Sequence, residues 1–588
     1  MSVTGRGIVG LGREGSYRHV LLGSRHMASA AHFAAAHAAF LVLEAGGNAV
    51  DAGVAGGFML GVVQSDIVNV AGVAPIMLYL AETREVLTID GLGVWPSAAS
   101  LEYFLREHGG AIPEGLMRSV VPAAPAAWLT ALERYGTMSF GEVAQAAIRL
   151  AREGFPMHPP MADYIARNAS RYKRWPQNAA IYLPKGRAPA SGELFVQSDL
   201  AASLQYMADE EKAAAKRGRE AGIGAARDAF YRGDIAKRIC AYHRERGGWL
   251  AEADLADYRV RFEPPARCRF GEVELYTCGP WCQGPVLAES LNILKGVDLA
   301  ALGHNSPAYL HLLAEAIKLA FADREAYFGD PRFVDVPLET LLSERYAAER
   351  RAEIDPARAA PGMPPPGRAR PGQPAPRLEL AATAEAGTGV PRTAHDTSYV
   401  AVVDRHGNVF SATPSDSSSD GEVVPGTGLC PSTRGCQSRT DDRHPSALAP
   451  GKRPRLTPNP AIAFFGERAV MPFGTPGGDV QSQAMLQVLL NVAVFGMDLQ
   501  AAIEAPRFAS FSFPNSFAPH DYLPGRLMLE ARVPAETAKA LKTLGHDVEP
   551  WPEFSWNAGA VCAVARDNAT GVLTAGADPR RSSYAVGW

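Results

Sequence analysis

A threonine that becomes a chain start carries a hydroxyl nucleophile and a free α-amine on one residue, and the amine is the hydroxyl's base. Thr397 is placed for that fate. It opens Thr397-Ser398-Tyr399-Val400-Ala401-Val402-Val403-Asp404, where hydroxyl residues run into an apolar strand. Before it lies a Pro/Gly/Ala/Arg-rich segment, from about residue 355 to 395, of a composition that does not pack easily. Such a segment ending where a buried strand begins predicts a cut between Asp396 and Thr397. An α-amine has an ordinary pKa of ~7.7–8.0, suited to taking a proton near neutral pH. The same hydroxyl, attacking the Asp396 carbonyl, would form an ester that water resolves. Acyl chemistry also needs oxyanion donors. Gly477 and Gly478, which lack a Cβ, can bring backbone N–H groups close.

The elements that must hold these residues are legible in outline. Asp404-Arg405-His406-Gly407-Asn408 reads as a hairpin turn, with Val409 to Thr413 as the returning arm. An Ala-rich helical pattern spans about Ser29 to Ala45 and stops at Gly46-Gly47. A second buried helix follows from Asn48 to about Val63, then a strand over 76–80. Residues 120–350 read as mostly helical, with an exposed charged helix over 210–227. A helix with a buried face is predicted over 481–495.

Other features are set aside on chemical grounds. Two G-x-G-x-x-G patterns, Gly5 to Gly10 and Gly10 to Gly15, lack the preceding strand and following helix of a dinucleotide site. Cys278 and Cys282 are wrongly spaced for a redox or zinc pair. His304, His311, Glu315 and Asp323 sit at mixed spacing and read as structural, so no metal or organic cofactor is expected. With 588 residues, 20% charged, 47% hydrophobic and a net charge of −4, nothing points to nucleic acid or an anionic membrane. Seven cysteines are an odd, sparse set that suggests reduced thiols. No apolar signal region is seen at the start, and no membrane span, so a cytoplasmic protein is expected.

Several ordered pieces together resemble the gamma-glutamyltransferase (gamma-glutamyltranspeptidase) family over most of the chain. They are Glu44-Ala45-Gly46-Gly47-Asn48-Ala49-Val50-Asp51-Ala52, Phe230-Tyr231-Arg232-Gly233-Asp234-Ile235-Ala236 and Asp254-Leu255-Ala256-Asp257-Tyr258. Leu302-Gly303-His304-Asn305-Ser306, Lys318-Leu319-Ala320-Phe321-Ala322-Asp323-Arg324, the Thr397 strand, Gly474-Thr475-Pro476-Gly477-Gly478 and Glu504-Ala505-Pro506-Arg507-Phe508 continue the series. The resemblance implies an α/β (α+β) fold, the four-layer αββα N-terminal-nucleophile sandwich. It implies that residues 1–396 and 397–588 become large and small subunits that share one core. Thr397 is then the catalytic nucleophile and Gly477-Gly478 the oxyanion hole. Ser415 falls where relatives place a second hydroxyl on the nucleophile, with Thr413 beside it. Asp442 matches the acidic residue that binds a substrate amino group.

The substrate pocket departs from that family pattern. Leu92 stands where relatives carry the arginine that grips the glutamyl carboxylate, and a leucine offers no charged partner. Arg84 could substitute only if the fold brings it round. Arg439 replaces a glutamine, Ser417 an asparagine, and Leu456-Thr457 a serine pair, though Thr457 keeps a hydroxyl. Arg439, Arg443 and Arg455 suggest a basic mouth for a small acidic amide substrate, cleaved by water or passed to an amine. A true gamma-glutamyltransferase acting in glutathione metabolism is the nearest alternative. A non-catalytic binding relative is another, and an oligomer of the cleaved heterodimer is left open.

Overall fold

The structure, a computed structural model, describes residues 16–370, 372–376 and 396–588. Both G-x-G-x-x-G patterns and the end of the proline-rich segment, 377–395, lie outside the described residues.

Alternation along one strand sets the layering. Val400 and Val402 of Val400–Val403 pack into a cluster with the helices Phe33–Glu44 and Ala49–Val63. Tyr399, Ala401 and Val403 point the other way, against Ile462, Val470, Cys562 and Val564 of a facing sheet. That period of two is what a strand buried on both faces requires. The first sheet runs Tyr584–Gly587, Met27–Ala30, Val400–Val403, Val409–Ala412, Ile76–Leu80, Glu85–Ile89 and Phe262–Glu263, antiparallel throughout. The second runs Leu21–Gly23, Leu573–Ala577, Cys562–Asp567, Ala469–Gly474, Ala461–Phe465, Val273–Thr277 and Ala266–Phe270, again antiparallel. Helices Gly284–Ile293, Pro307–Tyr327 and Gln481–Ala493 cover its outer face. The result is the expected αββα sandwich, and each sheet draws strands from both sides of Asp396.

The Thr397 hairpin is fixed at its far end by one carboxylate. Asp404 Oδ1 accepts the amides of His406 (2.8 Å) and Asn408 (3.0 Å). Its Oδ2 accepts the Ala49 amide at 3.0 Å, the first residue of the buried helix that Asn48 caps. An acidic group at a helix N-terminus is favourable, so the turn and helix hold each other. That helix lies flush on the hairpin. A Cβ at Gly53 would fall 2.1 Å from Phe410 Cδ1. Gly53→Ala is therefore expected to cost about 1–3 kcal/mol through overpacking, despite alanine's better helix propensity. A lowered denaturation midpoint would show it; an unchanged or raised midpoint would refute the tight seat.

Three local expectations change. Ser29 and Ala30 are strand, not helix, because Met27–Ala30 is clamped between Val400–Val403 and Tyr584–Gly587; the helix starts at Phe33 after the His32 cap. The charged helix over 210–227 is two helices, Ser198–Ala214 and Arg219–Tyr231, separated near Gly218 (φ 104°). Within it Glu211 is buried, accepting the Phe140 and Gly141 amides at 2.6 Å each. The start of the proline-rich segment does pack. Helix Pro307–Tyr327 and its neighbours supply partners for its backbone: Lys318 Nζ to Ala360 O (2.8 Å), Asp323 Oδ1 to Gly367 N (2.7 Å) and Tyr522 Oη to Met363 N (2.8 Å). All seven cysteines are unpaired and buried. Among the described residues, no helix is long and apolar enough to cross a membrane.

Candidate active site

Thr397 sits just before its strand and is 1% exposed. Ser415, just beyond the returning strand, bridges to it and to Val73. The Thr397 and Ser415 hydroxyl oxygens are 2.8 Å apart, and Ser415 Oγ donates to the Asp396 carbonyl oxygen at 2.7 Å. With its one hydrogen so used, Ser415 must accept from Thr397, which leaves a lone pair of Thr397 Oγ free. Arg434 completes the cluster, donating to Ser415 Oγ and, at 3.4 Å, to the Asp396 carbonyl oxygen. The carbonyl of Asp396 is thus polarised by a hydroxyl and a guanidinium while the Thr397 hydroxyl lies beside it.

Nothing in the sequence singles out Arg434. It is held by Asp416, whose Oδ1 lies 3.2 Å from its Nε. Asp416 has φ 119°, a strained conformation for a non-glycine residue, and Ser432 (2.8 Å) and Thr433 (3.2 Å) fix its carboxylate. Burial raises the Asp416 pKa, opposed chiefly by Arg434.

The Asp396 side chain is equally constrained. Oδ1 accepts the Thr397 amide at 2.9 Å; Oδ2 accepts Arg581 Nη1 at 2.7 Å and the Trp556 indole N–H at 3.0 Å. Its own amide donates to Ser417 Oγ at 3.3 Å. The nearby Asp66 carboxyl is buried with Oδ1 unpartnered, and burial pushes its pKa up to about 7, with Asp396 adding to the rise and Arg581 opposing it. Because the folded pKa exceeds the unfolded one, Asp66 favours the fold fully below about pH 4 and loses that contribution as pH rises through 7. In the uncut chain, Asp66→Asn is expected to stabilise at pH 8 by a few kcal/mol, a tenfold change in proton affinity being worth ~1.4 kcal/mol, and much less at pH 4.5. Urea midpoints of Thr397→Ala with and without Asp66→Asn measure this, and an equal gain at both pH values would contradict it.

A cavity of about 770 Å³ opens onto Asp396, with Gly477, Phe517 and Trp556 in its wall. Gly477 (φ 124°) and Gly478 (φ 57°) turn the strand Ala469–Gly474 into the helix Gln481–Ala493, with Gln283 Nε2 bonded to Gly478 O at 2.8 Å. Those φ values favour glycine. The same wall carries Arg118, Arg167, Arg171, Arg174 and Arg581. Arg118 and Arg171 share Asp420, at 2.9 and 2.6 Å.

Comparison with known proteins fits this geometry. The gamma-glutamyltranspeptidase family profile matches residues 35–588. The acylase ACY 1 proenzyme of Pseudomonas sp. (strain SE83) is 34% identical over 573 residues, covering 94% of this chain and 92% of its own. The chain belongs to the gamma-glutamyltranspeptidase family. The glutathione hydrolase-like YwrD proenzyme of Bacillus subtilis (strain 168) is 30% identical, with 96% and 99% covered. The solved cephalosporin acylase of Bacillus halodurans superposes with a TM-score of 0.83 at 29% identity, covering 97% of each chain. Membership in this gamma-glutamyltranspeptidase family carries the N-terminal-nucleophile fold, a self-cleaving precursor, and acyl transfer from an amide to water or an amine.

Of the residues carried over from the gamma-glutamyltranspeptidase pattern, Thr397, Ser415 and Ser417 gather around Asp396, Gly477 lines the cavity with Gly478 next to it in the chain, and the others lie elsewhere. Leu92 is fully buried in the apolar cluster between the sheets, which also holds Trp281 and Tyr399. Arg84 is on an exposed turn. Thr457 is buried, its hydroxyl accepting from Gln437 at 3.2 Å. Thr413 is buried with its hydroxyl unpartnered and its amide on Pro75 O at 3.2 Å. Asp442 is exposed. Arg439, Arg443 and Arg455 do not form a basic mouth: Glu325 takes Arg439 (2.7 Å) and Arg455, and Asp441 takes Arg443 (3.0 Å). The arginines of the cavity wall are dispersed in sequence, and each has a carboxylate partner: Asp420 for Arg118 and Arg171, Glu114 for Arg174, Asp163 for Arg167 and Asp396 for Arg581. Only the doubled Arg580-Arg581 after Asp578-Pro579 hints at one of them.

Proposed function

We propose that Thr397 is the nucleophile of a self-activating amidohydrolase or acyltransferase whose substrate carries an acidic group. The observation that carries this is the Thr397–Ser415–Asp396 carbonyl arrangement, with Arg434 on the same oxygen. In the precursor, Thr397 Oγ attacks the Asp396 carbonyl carbon, the C–N bond breaks, and nitrogen leaves as the Thr397 α-amine. Water then splits the ester, giving residues 1–396 and 397–588. In the mature enzyme the amine takes the Thr397 hydroxyl proton as that oxygen attacks a substrate amide. The amide N–H groups of Gly477 and Gly478 face the developing oxyanion. The leaving amine takes the proton, and water or a second amine releases the acyl group. Of the arginines in the cavity wall, Arg581 is the one paired to Asp396, so cleavage frees it for an anionic substrate while the others keep their carboxylates. We place the enzyme in the cytoplasm, in keeping with its seven unpaired thiols.

The test is the denatured mass of the purified chain. Two fragments, the smaller beginning at Thr397, are expected. A single chain with an intact fold would overturn the proposal and move the protein to a binding role.

A further inference from the structure

We infer that Arg581 and Trp556 form the receptor for a carboxylate at the far end of the substrate's acyl group, and that Asp396 occupies this receptor in the precursor as a built-in copy of that acyl group. The inference rests on Thr397 as nucleophile and goes further, naming the acyl donor as the monoamide of a short dicarboxylic acid.

The geometry gives the reason. Self-cleavage and substrate cleavage use one hydroxyl, so the Asp396 carbonyl marks where a substrate carbonyl must sit. From that carbonyl, Asp396 reaches a carboxylate across Cα and Cβ. Two donors converge on this carboxylate's Oδ2: Arg581 Nη1 at 2.7 Å and Trp556 Nε1 at 3.0 Å. The guanidinium is preorganised for the task. It stacks on the Trp556 ring, 4.0 Å from the centroid, and its Nε and Nη2 are tied to Trp556 O at 3.3 and 3.1 Å. Only Nη1 is turned to Asp396. The arginine side chain is 2% exposed and the aspartate 9%, so the pair is buried yet opens onto the cavity that both residues line.

Once the bond is cut, Asp396 ends the large fragment, and its departure leaves a buried guanidinium without its partner. A buried unpaired charge is costly, so the emptied site recruits another carboxylate. A succinyl-type amide reproduces the spacing. Its carbonyl meets Thr397 Oγ, its far carboxylate meets Arg581 and Trp556, and the remaining carboxylate oxygen faces the Thr397 nitrogen, as Asp396 Oδ1 does at 2.9 Å. Attack forms the Thr397 ester and expels the amine; water then returns the free dicarboxylic acid and the Thr397 hydroxyl. Asp66 is the rival partner for Arg581. Its pKa of about 7 belongs to the chain with Asp396 in place; cleavage removes Asp396, which raises it, and leaves Arg581, which lowers it, so the titrations are run from pH 5 to pH 7, the acid end holding Asp66 protonated and the cradle free.

The probe is levulinate, the uncleavable ketone analogue of a succinyl amide, with 2-pentanone as the matched compound lacking the carboxylate, titrated calorimetrically over the same pH range. Mature enzyme, shown by mass to be cut, is expected to bind levulinate roughly 10- to 100-fold more tightly than 2-pentanone, the range for hydrogen bonds to a buried charge. The uncut Thr397→Ala chain, whose cradle is filled by Asp396, should show no such preference. Asp396→Gly in that uncut chain leaves the residue-396 backbone in place and opens only the carboxylate end, so it should bind acetate roughly 10-fold or more tightly than acetamide, and adding Arg581→Gln should remove that difference. No preference in the cut enzyme, or equal preference in the uncut chain, would overturn the inference. Should the wild-type chain fail to cut itself, the nucleophile assignment falls at the mass measurement, while the Asp396→Gly chain still decides whether the cradle takes a carboxylate.

Discussion

Thr397→Ala is expected to yield one uncut chain of 588 residues and to lose at least about 10,000-fold in amide turnover. Both losses have one origin. In the mechanism we propose, the hydroxyl that opens the Asp396 peptide is the hydroxyl that attacks the substrate, and without the first event there is no α-amine to activate the second. The variant should fold. Thr397 is buried beside Ser415, and alanine removes one hydroxyl and one methyl without moving the strand pairing of Val400–Val403 with Met27–Ala30 and Val409–Ala412. Thr397→Ser separates the two roles of the side chain. It keeps the nucleophile and drops the methyl that restricts χ1, so it should cut itself more slowly yet still reach two fragments. Intact mass over time distinguishes the three chains. Fragments from Thr397→Ala that meet at Asp396 would place the nucleophile elsewhere.

The expectation of a cut between Asp396 and Thr397 rests on local sequence: a hydroxyl residue, a strand and a proline-rich segment before it lie within a few dozen residues. The layering followed from resemblance, and the structure explains it by alternation: Val400 and Val402 serve one layer, Tyr399, Ala401 and Val403 the next. The partners of the junction were not legible, because they meet only after folding. Arg581 reaches Asp396 across 185 positions, Trp556 across 160, and Arg434 across 38. An arginine in a sequence looks the same whether it meets solvent, a substrate or a carboxylate of its own chain. That is why Arg439 and Arg455 stand out in the sequence as pocket residues although Glu325 neutralises them in the fold. Leu92 shows the converse case. Its departure from the family arginine was visible, but not that the position is sealed in the cluster between the sheets, away from the residues that line the cavity.

Ser415→Ala carries the second large effect, a slowing of self-cleavage by roughly 100- to 1,000-fold, the range for losing one preorganised donor at a developing oxyanion. Among the described residues, Ser415 is the side chain that touches both reacting groups: it accepts from the Thr397 hydroxyl at 2.8 Å and donates to the Asp396 carbonyl at 2.7 Å. Removing it frees Thr397 to rotate and leaves Arg434, at 3.4 Å, as the remaining donor from this pair to the carbonyl. Cleavage should therefore persist at a reduced rate and not vanish, which separates this variant from Thr397→Ala. A residue that merely packed the strand end would act through stability instead, lowering the denaturation midpoint with little change in the rate of cutting. The Asp396–Thr397 cleavage rate, followed by mass after purification at low temperature, and the urea midpoint of the same preparation give both readings. Ser415→Thr, which restores the hydroxyl, is expected to recover most of the rate. A Ser415→Ala chain that cuts itself as fast as the parent would shift the work of polarising the carbonyl to Arg434 alone.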